Sequence, residues 1–211
     1  MKKNNHKHVI EQVPPNYYQS GVKNNVLQKA WHFNKLNAVL SGIDIKPKTI
    51  LDVGCASGWF LSRVSKKYPH AKCYGIDIYD KAIAFGKKKY PKIKFSVSDA
   101  DKLPYRASTF ELVICTEVLE HVDDPKKTLQ EIKRVLKRNG RAVIELDSGS
   151  LLFTIVWYLW RLSRGNVWNH SHLHSFNVKK LERMLKSAGF VIISKKRFNI
   201  GMAMVFVVKK P

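Results

Sequence analysis

Residues 49–58 read Thr-Ile-Leu-Asp-Val-Gly-Cys-Ala-Ser-Gly. A short apolar run closes on Asp52, and a turn of small residues through Gly54 and Gly58 leads into a helix-compatible stretch over 59–68. Strand, glycine turn and helix in that order open a βαβ unit, in which a ligand approaches bare backbone. The commonest such ligands are dinucleotides, with their pyrophosphate at the helix N-terminus. This turn fits them poorly. A Gly-x-Gly-x-x-Gly fingerprint needs glycines where Ala56 and Trp59 stand. Asp52 would also set a carboxylate beside a doubly negative group in a medium of low dielectric. A cationic ligand reverses that sign, while a plain ligand-free turn is the other reading.

Further strands follow with acids at their ends. Residues 71–78 form a second apolar run through Asp77 and Ile78, and Asp77 lies 25 residues beyond Asp52. A carboxylate there can accept hydrogen bonds from both hydroxyls of a ribose. Residues 93–97 lead to Ser98-Asp99-Ala100, and residues 110–115 lead to Thr116-Glu117-Val118-Leu119-Glu120-His121. Lys137-Arg138-Asn139-Gly140 precedes a fifth strand.

Asp52-Val53-Gly54-Cys55-Ala56-Ser57-Gly58 resembles the first motif of the class I S-adenosylmethionine-dependent methyltransferases, acid-x-Gly-x-Gly-x-Gly, with Ala56 as the one departure. A methyl group at the middle glycine is tolerable where φ is negative. The post-strand segment from Thr116 resembles that of the broad group containing the ubiquinone and menaquinone biosynthesis methyltransferases. The matches run in order from 46 to 148. They imply S-adenosyl-L-methionine as cofactor and S-adenosylhomocysteine as product. The resemblance puts Asp52, Gly54, Ala56 and Gly58 at the methionine end, Asp77 and Ile78 at the ribose, Asp99 and Ala100 at the adenine, and Thr116 and Glu117 among the remaining cofactor contacts. It further implies a Rossmann-like, doubly wound α/β sheet of seven strands, mostly parallel, with an antiparallel C-terminal hairpin and helices on both faces.

The 211 residues carry 38 Lys and Arg against 16 Asp and Glu, for a net charge of +22. From Ser148 onward 11 basic residues face one acid, Glu182. Such a surface attracts RNA or anionic lipid headgroups, although lysine runs such as 87–89 also suit an ordinary solvated helix face. Cys55, Cys73 and Cys115 fall in or beside apolar strands without a Cys-x-x-Cys, which points to a reducing compartment. Residues 1–15 are polar, with no run resembling a signal peptide. The expectation is a cytoplasmic protein, in contact at most peripherally with the inner membrane surface.

Two units are expected: an N-terminal polar tail and helical cap over 1–45, and the methyltransferase domain over 46–211 with a lid-like insertion at 149–175. Residues 1–15 are expected to be disordered. Residues 19–40 are helix-compatible, with Val22, Val26, Leu27, Trp31, Leu36 and Leu40 available for an apolar face. Tyr17, Tyr18, Trp31 and His32 are placed to cover the cofactor, or simply to pack. Residues 151–162, Leu-Leu-Phe-Thr-Ile-Val-Trp-Tyr-Leu-Trp-Arg-Leu, would span about 18 Å as a helix, short of the roughly 30 Å of a bilayer core. With Arg161 and Arg164 alongside and aromatics recurring at Trp168 and Phe176, they suit a membrane-interfacial helix or a lid over an apolar substrate. Burial against the sheet or in a dimer contact is the alternative. A helix over 177–188 closed by Gly189, then strands over 190–196 and 202–208, complete the chain.

Methyl transfer is an in-line displacement, and a base is needed only when the nucleophile carries a proton. His121 leads as the catalytic base because it follows the fourth strand, with His170, His172 and His174 as further candidates. Glu117, Glu120 and His121 resemble a metal-binding trio of some ubiquinone-pathway O-methyltransferases, and would gather about a cation if their segment were helical. Carboxylates and histidines also occur as caps and cofactor contacts, so no metal is assigned. The Asn/Asp-Pro-Pro-aromatic and Pro-Cys motifs of nucleic-acid base methylation are absent at Cys115-Thr116-Glu117-Val118. The expected function is methyl transfer to a small-molecule or lipid-like acceptor. The alternatives are an RNA methyltransferase using the basic surface, and a nonenzymatic binding module that keeps the cofactor fold.

Overall fold

A computed structural model describes residues 12–163 and 172–211 of the chain. The expectations placed on residues 1–11, on Arg164, Trp168 and His170, and on the Arg161 side chain concern positions outside that description. The helices are α1 (Tyr17–Asn24), α2 (Val26–Ser41), α3 (Trp59–Lys67), α4 (Asp80–Lys89), α5 (Pro125–Val135), α6 (Leu151–Ser163) and α7 (Val178–Ser187). The strands are β1 (Thr49–Val53), β2 (Lys72–Asp77), β3 (Lys94–Val97), β4 (Phe110–Thr116), β5 (Leu136–Asp147), β6 (Val191–Phe198) and β7 (Ala203–Lys209).

The strands form one sheet in the order β3-β2-β1-β4-β5-β7-β6. Strands β3 to β5 pair in parallel, whereas β7 runs antiparallel to both β5 and β6. Side chains alternate across each strand, and the apolar residues divide accordingly into two cores. Leu51, Val53, Val113 and Cys115 join α5 and α7 on one face. Ile50, Leu112, Ile114 and Val143 join α2, α3 and α4 on the other. Burying each such Leu, Ile or Val side chain contributes about 1.5–3 kcal/mol. The doubly wound arrangement follows because parallel strands must have both faces covered.

Local chemistry sets the boundaries. The expected helix over 19–40 is two helices, because Asn25 adopts extended angles (φ −137°, ψ 116°) and its side chain accepts from the Gln28 N–H as N-cap of α2. Asp124 caps α5 in the same way, with Pro125 in its first turn. Gly189 closes α7 as expected. Its N–H donates to Lys186 O while Phe190 N–H donates to Leu185 O, the paired bonds of a Schellman ending. Residues 137–140 lie inside β5 rather than before it. The register against β4 shifts between Phe110 and Leu112, and Asn139 takes φ +61° there, so the turn-forming residues become a strand irregularity.

The expected disorder of 1–15 does not extend to residues 12–15. Val13 is buried, and Pro14 O accepts from the Tyr17 N–H at 2.9 Å. Helix α6 turns Phe153, Trp157 and Trp160 inward at four- and three-residue spacing and leaves Leu151, Ile155, Leu159 and Leu162 exposed. Among the described residues no helix is long and apolar enough to cross a membrane.

Candidate functional site

A cavity of about 580 Å³ opens beyond the C-terminal ends of the parallel strands, within the 300–1,000 Å³ range usual for small-molecule sites. Successive connections leave β1 toward β2 on one side and β4 on the other, and open α/β sheets bind ligands at this switch point. Of the residues expected at the cofactor, Gly54, Ala56, Asp77, Ile78, Asp99, Ala100 and Glu117 line it, as does His121. Asp52, Gly58 and Thr116 are not among its lining residues.

The glycine turn is held by β2. Gly54 N–H and Cys55 N–H both donate to Ile76 O at 2.9 Å. Ala56 N–H donates to Asp77 Oδ2 at 2.7 Å, and Tyr79 N–H to Asp77 Oδ1 at 2.9 Å. The Ile78 N–H also bonds this carboxyl, so of about four lone-pair positions Asp77 retains one for a ligand. Gly54 has φ +73°, and a Cβ there would collide with Val118. Gly58 has φ +77°, and its Cβ would run into the Phe95 ring. Ala56 departs from expectation, with φ +45° rather than a negative value. The pull of Asp77 on its N–H offsets the left-handed cost.

Asp52 also departs from expectation. Its side chain is buried behind the turn at 2 % exposure, and burial pushes its carboxyl up to about 8. Its charge is therefore not displayed at the cavity wall. Glu117 is the acid that meets the site as a charge. Burial alone would raise it, but Lys35 and His32 outweigh that and bring it to about 2. Lys35 Nζ sits 2.8 Å from Glu117 Oε2, and Trp31 Nε1 donates to Oε1 at 3.4 Å. Lys35, a buried cation on α2, was not legible as a functional residue. The signal was its place among His32, Leu36 and Val39 on the buried stripe of the helix. Burial and the Lys35 charge together lower His32 to about 4, so it is neutral at pH 7.

Residues 117–121 form a turn rather than a helix, so the condition on which Glu117, Glu120 and His121 would gather about a cation is not met. Glu120, His121 and His172 instead bring one ligand atom each within 4.8 Å of one another, a geometry able to take a small cation. The His121 and His172 rings meet edge to face at 4.9 Å. His172 stacks on Trp157 of α6 at 5.0 Å, and its Nδ1 is 3.8 Å from Asp147 Oδ2. His174 lies apart, with Nε2 at 3.0 Å from Val122 O. Cys55 and Cys115 are buried and free, and burial pushes both thiols far above the reactive range.

These features fit S-adenosylmethionine. Glycine backbone lines the wall, acids follow β2, β3 and β4, and the buried Lys35 is engaged by Glu117. The cofactor supplies a methyl group activated by its sulfonium charge. Asp77 is available for the ribose and Asp99 with Ala100 for the adenine.

Residues 28–195 match the family model of a methyltransferase domain. Norajmaline N-methyltransferase of Rauvolfia serpentina is 37 % identical over 105 residues, 47 % of this chain and 36 % of that one, so the chain spans about a third of that relative. A ubiquinone/menaquinone biosynthesis C-methyltransferase of Desulfotalea psychrophila is 30 % identical over 173 residues, covering 72 % of this chain and 69 % of that one. An S-adenosylmethionine-dependent methyltransferase of Thermotoga maritima, described as a possible histamine N-methyltransferase, superposes with TM-score 0.76 at 17 % identity, over 98 % of this chain and 100 % of that one. Sheet order, glycine turn, strand-end acids and these matches agree: the chain belongs to the methyltransferase-domain family and is a class I S-adenosylmethionine-dependent methyltransferase.

Proposed function

We propose that this enzyme transfers the methyl group to a small-molecule or lipid-like acceptor that enters beneath α6. The carrying observation is the wall formed by Phe153, Val156, Trp157 and Trp160, which gives the cavity an apolar-aromatic side opposite its acids. Relatives named as a ubiquinone/menaquinone biosynthesis C-methyltransferase and a norajmaline N-methyltransferase support a small-molecule acceptor. The exposed Leu151, Ile155, Leu159 and Leu162 of α6, on a chain of net charge +22, favour peripheral contact with an anionic membrane on its cytoplasmic side.

The basic surface is the one feature that favours RNA instead, but no Lys or Arg is found among the described cavity residues. A phosphate backbone would need such residues at the mouth. The test incubates purified protein with methyl-labelled S-adenosylmethionine and host extract, then separates organic, aqueous and RNA fractions. Label in the organic phase is expected, and label confined to RNA would overturn the acceptor reading. Sedimentation with phosphatidylglycerol vesicles is expected for the native chain and lost in the double variant Leu151→Glu/Leu159→Glu. Unchanged sedimentation of that variant would remove α6 as the contact.

A further inference from the structure

The charges of this chain are sorted, not scattered. Lys and Arg outnumber Asp and Glu by 38 to 16, yet the described cavity wall holds acids and no Lys or Arg. Asp77, Asp99 and Glu117 at the ends of β2, β3 and β4 serve the cofactor in the reading above. Four further lining acids, Asp101, Glu120, Asp123 and Asp147, share the cavity with the α6 aromatics and are left over once those assignments are made, Asp101 being paired with Lys127 at 3.2 Å.

Glu120 is the most telling of them. It is 3 % exposed, lines the cavity, and its Oε2 has no hydrogen-bond partner among the described residues. A buried carboxylate oxygen without a donor is costly unless the group stays protonated or a cationic donor arrives. Phe153, Trp157 and Trp160 line the same cavity. Their ring faces attract cations, and aromatic walls with carboxylates are how ammonium groups are recognised.

We propose that the methyl acceptor carries a basic amine nitrogen on an apolar body, with Glu120 receiving the nitrogen and the α6 aromatics holding the body. This deepens, and rests on, the acceptor reading above. A neutral quinol or alcohol would bring a weaker donor to Glu120, and an anion would be disfavoured by a wall that holds acids and no Lys or Arg among its described residues. A nitrogen satisfies both needs, because its ammonium form is attracted and its neutral form is nucleophilic. The ammonium first passes one N–H proton to a lining carboxylate. The freed lone pair forms the N–C bond to the methyl group as the C–S bond breaks. That bonding pair stays on sulfur, which becomes a neutral thioether, and the positive charge moves to the methylated nitrogen.

The test uses the full-length protein with methyl-labelled S-adenosylmethionine and host extract, and partitions the products twice. An apolar amine enters the organic phase at pH 11 and returns to water at pH 2, whereas the unreacted donor stays aqueous throughout. Label that makes this round trip is the expected result. Label that remains organic at both pH values overturns the amine and leaves the methyltransferase reading standing. Label that stays aqueous throughout, or in RNA, overturns the apolar amine as well. Absence of transferred label in every fraction contradicts the functional reading itself. Glu120→Gln is expected to cut the round-trip label at least tenfold while S-adenosylhomocysteine affinity by calorimetry stays within twofold. Unchanged transfer, or an equal loss of product affinity, would remove Glu120 from acceptor binding. Trp157→Ala, which removes one of the aromatics holding the body, is the second variant should Glu120→Gln fail to fold, and the same tenfold fall is expected of it.

Discussion

Ala56 sits in the left-handed region at φ +45° because its N–H must reach Asp77 Oδ2. An L-residue gives up about 1 kcal/mol or more there, while replacing it with glycine loses roughly 0.5 kcal/mol of chain entropy. Ala56→Gly is therefore expected to raise stability by about 0.5 kcal/mol with cofactor affinity retained, as read from urea unfolding and calorimetry. Asp77, Asp99 and Glu117 were legible because each directly follows or ends an apolar run, and strand ends point to one edge of a parallel sheet. The positions of Asp52 and Ala56 were not. Which way a side chain faces at a turn depends on φ and on the neighbouring strand, and the Asp52 carboxyl turned out to lie under the turn rather than in the cavity.

At the scale of elements, α2 is tied to the catalytic edge by one ion pair. Lys35 is nearly fully buried against a Glu117 side chain that is 27 % exposed. Removing one partner of a buried pair costs about 3–5 kcal/mol, so Lys35→Met is expected to cost about 2–3 kcal/mol given the partial hydration of Glu117. The double variant Lys35→Met/Glu117→Gln should recover most of that loss in urea unfolding. Failure to recover it would mean that Lys35 acts through packing alone. The apolar face over 19–40 and the Gly189 ending of α7 were legible, since capping chemistry is local. The break at Asn25 was missed because an N-cap inside an amphipathic run reads as another polar helical residue. The β4–β5 irregularity was missed because strand register is decided by the partner strand.

For the molecule as a whole, the notable property is an acidic interior edge within a strongly basic chain. Burial raises Asp52 and Glu145 to about 8, and Asp147 to about 6. The folded chain therefore keeps protons that the unfolded chain has released, and this contribution is complete below about pH 4 and lost as pH rises through about 8. Glu117 acts oppositely. At about 2, it stabilises above its ordinary value and loses that contribution only as pH falls through about 2. The raised groups dominate between, so unfolding free energy is expected to fall by several kcal/mol from pH 5 to pH 8, at about 1.4 kcal/mol per pH unit for each fully raised group. A stability that rises over that interval would contradict the burial of these acids. The seven-stranded, mostly parallel sheet was legible through the resemblance carried by four spaced strand-and-acid motifs, and an acidic crevice in a basic shell through the strand-end positions of the few acids, whereas the strand order was not, since it depends on which strands pair.

The claim on which the rest depends is that the cavity at the strand ends is the cofactor site, with Asp77 at its centre. Isothermal titration of the purified chain with S-adenosylhomocysteine tests it without any knowledge of the acceptor. One equivalent bound per chain is expected, with affinity at least tenfold weaker in Asp77→Asn and unchanged in Asp123→Asn. No binding by the native chain, or equal binding by Asp77→Asn, would contradict the account.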